Sequence, residues 1–242
     1  FPKGVLNIVS GPANEVAKTL NESTIPRMIS LIGSYETGLK LLQQSATSVK
    51  KYSLELGGNA PVVVMPDVDI DEVADSIIAK KIGFAGQTCV NYNRIYIQRS
   101  IYPQLCEAIE KKLANVKLGK WKDEGQIMGP VINKKERDRL LGLIDDAVKS
   151  GAKLTYGGKV PEGAGAFMEP ALLVDVTDDM RVSKEEIFGP IIPLQPFDTL
   201  DEAIEKSNNT IYGLSAYFYG HNTKEVNQFL QNVVAGEIFV NG

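Results

Sequence analysis

The apolar positions switch repeatedly between two periods along this chain. RMISLIG (27–33) and KYSLEL (51–56) are short β-type runs, and the SYETGLKLLQQSA segment between them has helical spacing. After Gly57 and Gly58, APVVVMP is a continuous apolar run of the kind found in buried parallel strands. DVDIDEVADSIIAKKIG opens with acidic residues suited to a helix cap and places Val73, Ile77, Ile78 and Ile82 on one face. RIYIQR predicts a strand. IYPQLCEAIEKKLANV predicts a helix with Leu105, Cys106, Ile109 and Leu113 as its buried stripe. KKERDRLLGLIDDAVKSG is amphipathic and ends at a glycine in the C-cap region. Strand-like KLTYGG, ALLVDV, IIPLQPF, SAYFYG and GEIFVN follow, together with helical LDEAIEKSN and TKEVNQFLQNV.

This βαβα rhythm predicts an α/β fold with a largely parallel sheet. No internal repeat, low-complexity stretch or linker interrupts it. The Gly57–Gly58 junction is the candidate boundary, giving domains at 1–56 and 57–242.

Composition narrows the function classes. With 43% hydrophobic and 23% charged residues in 242, the chain has the balance of a globular protein with a sizeable core. The net charge of −4 comes from mixed acids and bases, which argues against a nucleic-acid or membrane-surface partner. No apolar run approaches the length of a membrane span, and cytoplasm is the expected compartment. The chain opens on FPKGV without an initiator Met, so an upstream segment is expected. Two cysteines do not make a disulfide scaffold, and one histidine, His221 in an expected surface turn, does not make a metal site.

Four stretches carry candidate chemistry. In FAGQTCVNYNR (84–94), Cys89 has the small Gly86 and Thr88 nearby. A lone cysteine is usually a small buried hydrophobe, but a thiol at a turn can meet backbone N–H groups that lower its pKa and bind an oxyanion. In LELGGNAP (54–61), Glu55 interrupts an apolar run. It is either an edge-strand residue facing water or a desolvated carboxylate with the pKa of a general base. In VSKEEIFGPIIP (182–193), two acids precede Ile-Phe-Gly-Pro, which alone reads as a charged turn before a strand. In LIGSYETG (31–38), Gly33 and Ser34 end a strand and open a helix, a geometry that can receive phosphate, although no G-x-G-x-x-G fingerprint is present.

In this order and spacing, the motifs resemble the NAD(P)-dependent aldehyde dehydrogenase superfamily. Cys89 follows Glu55 by 34 positions and precedes Glu186 by 97, and FPKGVLNIVSG and GEIFVNG fit the same pattern at the two ends. LELGGNAP, GQTCV, KKYSLEL and VSKEEIFGP are closest to succinate-semialdehyde dehydrogenases. The resemblance implies that Cys89 attacks the aldehyde, that hydride passes to NAD or NADP, and that Glu55 activates water to release the acid from a thioester. Glu186 and Phe188 are then expected beside the nicotinamide ribose and ring, and Gly33 and Ser34 near the pyrophosphate.

The resemblance also places the first dinucleotide-binding strands and an oxyanion-binding Asn upstream of Phe1, and an oligomerisation arm beyond Gly242. Residues 1–56 are thus expected to close a Rossmann-like cofactor domain and 57–242 to form most of a catalytic domain. The intact parent is expected to be a homo-oligomer, and the chain alone to be inactive. Two departures stand out. Asn91 replaces the second cysteine that some relatives carry two places after the nucleophile, and Ile32 replaces the usual Thr or Ser before Gly-Ser. The alternatives are a cysteine hydrolase, for which only His221 could serve as base, a catalytically silent relative, and a CoA-acylating relative, against which the deacylating Glu55 speaks.

Overall fold

The computed structural model describes residues 1–120, 123, 124, 127–163 and 165–242. The chain divides into two compact units, Phe1–Gly57 and Gly58–Gly242.

The first unit contains helix α1 (Ala13–Glu22), strand β1 (Met28–Ile32), helix α2 (Tyr35–Gln43), a 3-10 turn (Gln44–Thr47) and strand β2 (Lys51–Glu55). β1 and β2 pair in parallel, with Met28 opposite Lys51 and Ile32 opposite Glu55. The α1 helix has no counterpart in the sequence-based expectations. Its buried residue is the polar Asn21, while Val16 is only half-buried and Leu20 is exposed. Asn21 holds the unit together through hydrogen bonds: its Nδ2 donates to Leu41 O at 2.8 Å, and its Oδ1 accepts from the Tyr52 hydroxyl at 2.8 Å.

The second unit is built on a seven-stranded sheet. In chain order its elements are β3 (Ala60–Val64), α3 (Ile70–Ile82), β4 (Tyr92–Gln98), α4 (Tyr102–Leu113), β5 (Lys117–Leu118), β6 (Ile127–Met128), α5 (Lys134–Lys149), β7 (Lys153–Gly157), β8 (Ala171–Val174), α6 (Arg181–Lys184), β9 (Ile191–Phe197), α7 (Leu200–Asn208), β10 (Ser215–Tyr219), α8 (Thr223–Asn232) and β11 (Glu237–Val240). The strand order is β11-β10-β3-β4-β9-β8-β7, with β5 and β6 forming a separate pair. Every described pairing in the large sheet is parallel except β7 with β8. The expected α/β fold with a largely parallel sheet is what the chain adopts.

Burial on both faces explains the continuous apolar run at β3. Because side chains alternate across a strand, Val62 and Val64 enter one core with Ile77, Ile95, Ile97 and Leu105, while Val63 enters the opposite core with Tyr96, Phe218 and Phe229. A third cluster packs Leu140, Leu143 and Ile144 of α5 against Leu173 and Ile191.

The helix that precedes Cys89 differs from expectation in one position. Asp69 caps α3 as anticipated, its Oδ1 accepting from the N–H groups of Asp71 and Glu72. Val73, Ile77 and Ile78 are buried, but the next core-facing place belongs to Lys81, which is 1% exposed, while Ile82 is only half-buried. A 3.6-residue period places position 81 directly after 74, 77 and 78; the charge on lysine masks this in the hydrophobic pattern.

Candidate active site

The Cys89 turn begins with strained backbone. After α3, Phe84 and Ala85 take φ of 50° and 52° and Gly86 takes 73°, three successive residues in the left-handed region. For the two non-glycine residues this costs of order 1 kcal/mol or more each, and such strain collects at functional sites. A tight turn follows, with Cys89 and Val90 at its centre and the Asn91 N–H donating to Thr88 O at 3.2 Å. Among the described residues the Cys89 N–H has no hydrogen-bond partner. The Cys89 thiol is free and half-buried.

Two other segments are packed onto this turn. Gly58 lies so close that a Cβ there would stand 2.3 Å from the Cys89 carbonyl oxygen. Its N–H donates to Glu186 Oε1 at 3.0 Å. Gly58 therefore touches both the Cys89 backbone and the Glu186 carboxylate, and no side chain fits there. Gly86 is equally constrained, since a Cβ on it would meet Gly189 O at 2.3 Å.

Buried polar side chains hold the three segments in register. The Asn93 Nδ2 donates to Asn59 Oδ1 at 2.5 Å and to Glu185 O at 3.0 Å, and its Oδ1 accepts the Ile187 N–H at 3.0 Å. Asn59 in turn donates to Ser183 O at 2.9 Å. Arg94, 2% exposed, donates from Nε to Asn59 O, from Nη1 to Lys206 O and from Nη2 to Ser207 O. These residues stand inside the GGNAP and VNYNR motifs, yet the sequence reading passed them over. The available signal was three polar residues at the mouths of strands that are otherwise apolar.

Phe188 projects from this framework. Its backbone is left-handed, with φ of 48°, and its side chain is exposed. The preceding residue is pinned on both sides, by Asn93 at the Ile187 N–H and by Arg139 Nη2, which donates to Ile187 O at 2.6 Å. An exposed aromatic ring on a strained but braced backbone is suited to meeting a planar ligand.

The remaining candidates lie in the first unit. Glu55 ends β2 and is exposed in this chain, the edge-strand alternative of the sequence reading. The two-stranded sheet supplies no covering layer, and its register partner Ile32 is also exposed, at 81%. The backbone of Glu55 is engaged, its carbonyl accepting the Gly33 N–H at 3.0 Å. Ser34 caps α2, its Oγ accepting from the Thr37 N–H at 3.2 Å. A hydrogen bond from its own backbone, followed by one from Ser34, holds the Glu36 carboxyl below its usual range, so the α2 N-terminus already faces a carboxylate.

Burial pushes the Cys106 thiol up to about 12, so it is protonated and unreactive near neutrality. His221 is exposed, and its N–H donates to Asp67 Oδ2. Among the described residues no group of His, Cys, Asp and Glu is arranged to hold a metal, and no helix is long and apolar enough to cross a membrane.

The second unit thus presents Cys89 on a strained turn beside Gly58, whose N–H holds the Glu186 carboxylate. The chain belongs to the aldehyde dehydrogenase family, which it matches over residues 1–242. It is 39% identical over 242 residues to a probable NADP(+) succinate-semialdehyde dehydrogenase of Sinorhizobium fredii, covering 100% of this chain and 49% of that protein. It is 41% identical over 241 residues to a glutarate-semialdehyde dehydrogenase of Pseudomonas putida, covering 100% and 50%. The crystal structure of succinate-semialdehyde dehydrogenase from Burkholderia pseudomallei superposes with a TM-score of 0.97 at 36% identity, over 100% of this chain and 50% of that one. The chain spans about half the length of the relatives it matches.

Proposed function

We propose that this chain carries the nucleophile of an NAD(P)-dependent aldehyde dehydrogenase whose substrate is a short semialdehyde bearing a carboxylate. The observation that carries this reading is the Cys89 turn, which offers a thiol and a backbone N–H from one residue. The named activities of the succinate- and glutarate-semialdehyde relatives support the substrate class.

The residues act in two stages. The Cys89 thiolate adds to the aldehyde carbon, forming a C–S bond and moving the carbonyl π electrons onto oxygen. The Cys89 N–H donates to that oxyanion, which favours the tetrahedral species. A bound nicotinamide dinucleotide supplies the hydride acceptor. Loss of hydride from the former aldehyde carbon leaves a thioester on Cys89. Glu55 then takes a proton from the attacking water, the thiolate is expelled, and the carboxylic acid leaves.

The residues of the second unit fit a cofactor. The Gly58 N–H holds Glu186 Oε1, and a carboxylate held there would accept from a sugar hydroxyl of the cofactor. Phe188 offers an exposed ring face. At the α2 N-terminus Glu36 and the Ser34 cap already use donors, so the Ser34 hydroxyl and the helix end share the phosphate with groups of the protein itself.

The decisive experiment replaces each cysteine in the full-length protein. Cys89→Ala should abolish NAD(P)H production from succinate semialdehyde, and Cys106→Ala should leave it near wild type. Turnover by the Cys89 variant would overturn the proposal.

A further inference from the structure

A tyrosine on a strand remote in sequence reaches the nucleophile's turn. Tyr217 sits on β10, buried, with its ring between Tyr92 (centroids 4.5 Å apart) and Phe239 (5.0 Å, stacked). Its hydroxyl donates to the carbonyl of Val90, the residue after Cys89, at 2.7 Å. The same peptide is tied at its other end, where the Asn91 N–H donates to Thr88 O. The Val90–Asn91 peptide plane is therefore fixed at both its carbonyl and its N–H. Rotation of that plane would swing Cys89 and Val90, the two central residues of the turn.

We propose that Tyr217 is a positioning residue for Cys89, its hydroxyl locking the turn in the orientation that presents the thiol and the Cys89 N–H together. The inference rests on the reading of Cys89 as the nucleophile. Burial pushes the Tyr217 hydroxyl up, the Ser215 side chain acts against this, and the charges of Tyr219, Glu237 and Cys89 add to the rise. The groups that face Tyr217 are Lys80 from α3, its Nζ 5.4 Å from the ring, Tyr92 from β4, Ser215 and Tyr219 from the same strand, Glu237 from β11 and Cys89 itself. The ring alone would satisfy the stack. The hydroxyl satisfies a carbonyl that belongs to the turn.

Tyr217→Phe in the full-length protein keeps the ring and removes the bond. Loss of one such hydrogen bond should lower kcat for aldehyde oxidation at least about fivefold, with the aldehyde KM within about twofold. The rate of Cys89 alkylation by iodoacetamide, followed across pH by mass spectrometry, should change in level or midpoint, while Cys106 stays unreactive. Tyr219→Phe, which removes a hydroxyl bonded to Ser76 and Tyr92 but not to the turn, should leave the Cys89 profile unchanged. A wild-type profile and kcat in Tyr217→Phe would overturn the proposal. So would a rise in Cys106 alkylation in step with Cys89, because the hydroxyl would then hold the fold rather than the nucleophile. Cys89→Ala run alongside separates the two readings. Activity retained there defeats the nucleophile assignment itself, whereas activity lost there with Tyr217→Phe unaffected defeats the positioning role alone.

Discussion

Asn93 and Asn59 stand 34 positions apart, and the amide of the first donates to the amide oxygen of the second at 2.5 Å inside the protein. Both are nearly inaccessible, at 3% exposure each. The pair joins the strand entered from the glycines to the strand entered from the cysteine turn, and both side chains reach on to the segment that carries Glu186. Replacement of Asn93 by Ala would orphan the Ile187 N–H, the Glu185 carbonyl and the Asn59 Oδ1 together. At about 1–3 kcal/mol for each buried group left unpaired, Asn93→Ala should lower the melting temperature by on the order of 6 °C or more. A scan showing a loss within about 2 °C, the change expected for a minor contact, would mean that water or neighbours replace these bonds.

The Gly58 contact predicts a more local fault. A methyl group at this position cannot coexist with the Cys89 carbonyl, because the obstructing atom is backbone and has no rotamer to adopt. Gly58→Ala should cost about 1–3 kcal/mol, as overpacking does, and should also displace the Cys89 turn and the N–H that orients Glu186. Aldehyde oxidation should fall by at least about tenfold, the equivalent of 1.4 kcal/mol in the barrier. Gly142, which has nothing within 4 Å of a Cβ, is the matched control, and Gly142→Ala should retain full rate.

Lys81 makes stability depend on pH. Burial lowers its pKa to about 7, from an ordinary value of 10.5. Below about pH 7 both folded and unfolded chains carry the charge, and the folded one bears the full desolvation penalty. Between pH 7 and 10.5 the unfolded chain binds the proton more tightly, so the penalty shrinks as pH rises and vanishes above that window. Lys81→Met should therefore be more stable than wild type at pH 6.5, with its advantage declining through pH 8 and nearly gone by pH 10. Urea midpoints at those three values test this. A difference that does not vary with pH would show that the lysine reaches water in solution.

These relationships mark where the sequence is informative and where it is not. The seven main strands and the principal helices were legible because alternation and 3.6-residue spacing report burial directly. APVVVMP declared itself a two-face strand, and Asp69 and Gly151 marked helix ends. Cys89, Glu186 and Phe188, whose roles are proposals, stand in motifs that the sequence presents in order. Helix α1 was not legible: its apolar positions are only Ala13, Val16, Ala17 and Leu20, and the side chain it buries is the amide of Asn21. Nor were Asn59, Asn93, Arg94 and Tyr217. Their roles depend on which backbone carbonyls and N–H groups the fold carries to them over separations of 34 to 127 positions, and no local pattern encodes that. For Glu55 the sequence left two environments open, and in this chain the end of a two-stranded sheet leaves it exposed.

The role proposed for Glu55 has a kinetic signature that separates the two stages of the reaction. Glu55→Gln keeps the shape of the side chain and removes its ability to take a proton. Loss of a general base costs about 10²–10⁴ in the step it serves. If that step is release of the acid, the full-length variant should still form NAD(P)H in a fast burst of about one equivalent per Cys89, as acyl-enzyme accumulation requires, and then stall. Mass spectrometry of the quenched protein should find the acyl group on Cys89. Because Gln keeps the volume of Glu, the substitution should leave the melting temperature within about 2 °C of wild type. Disappearance of the burst together with the adduct would assign Glu55 to activation of the thiol instead. An unchanged steady rate would remove it from the chemistry.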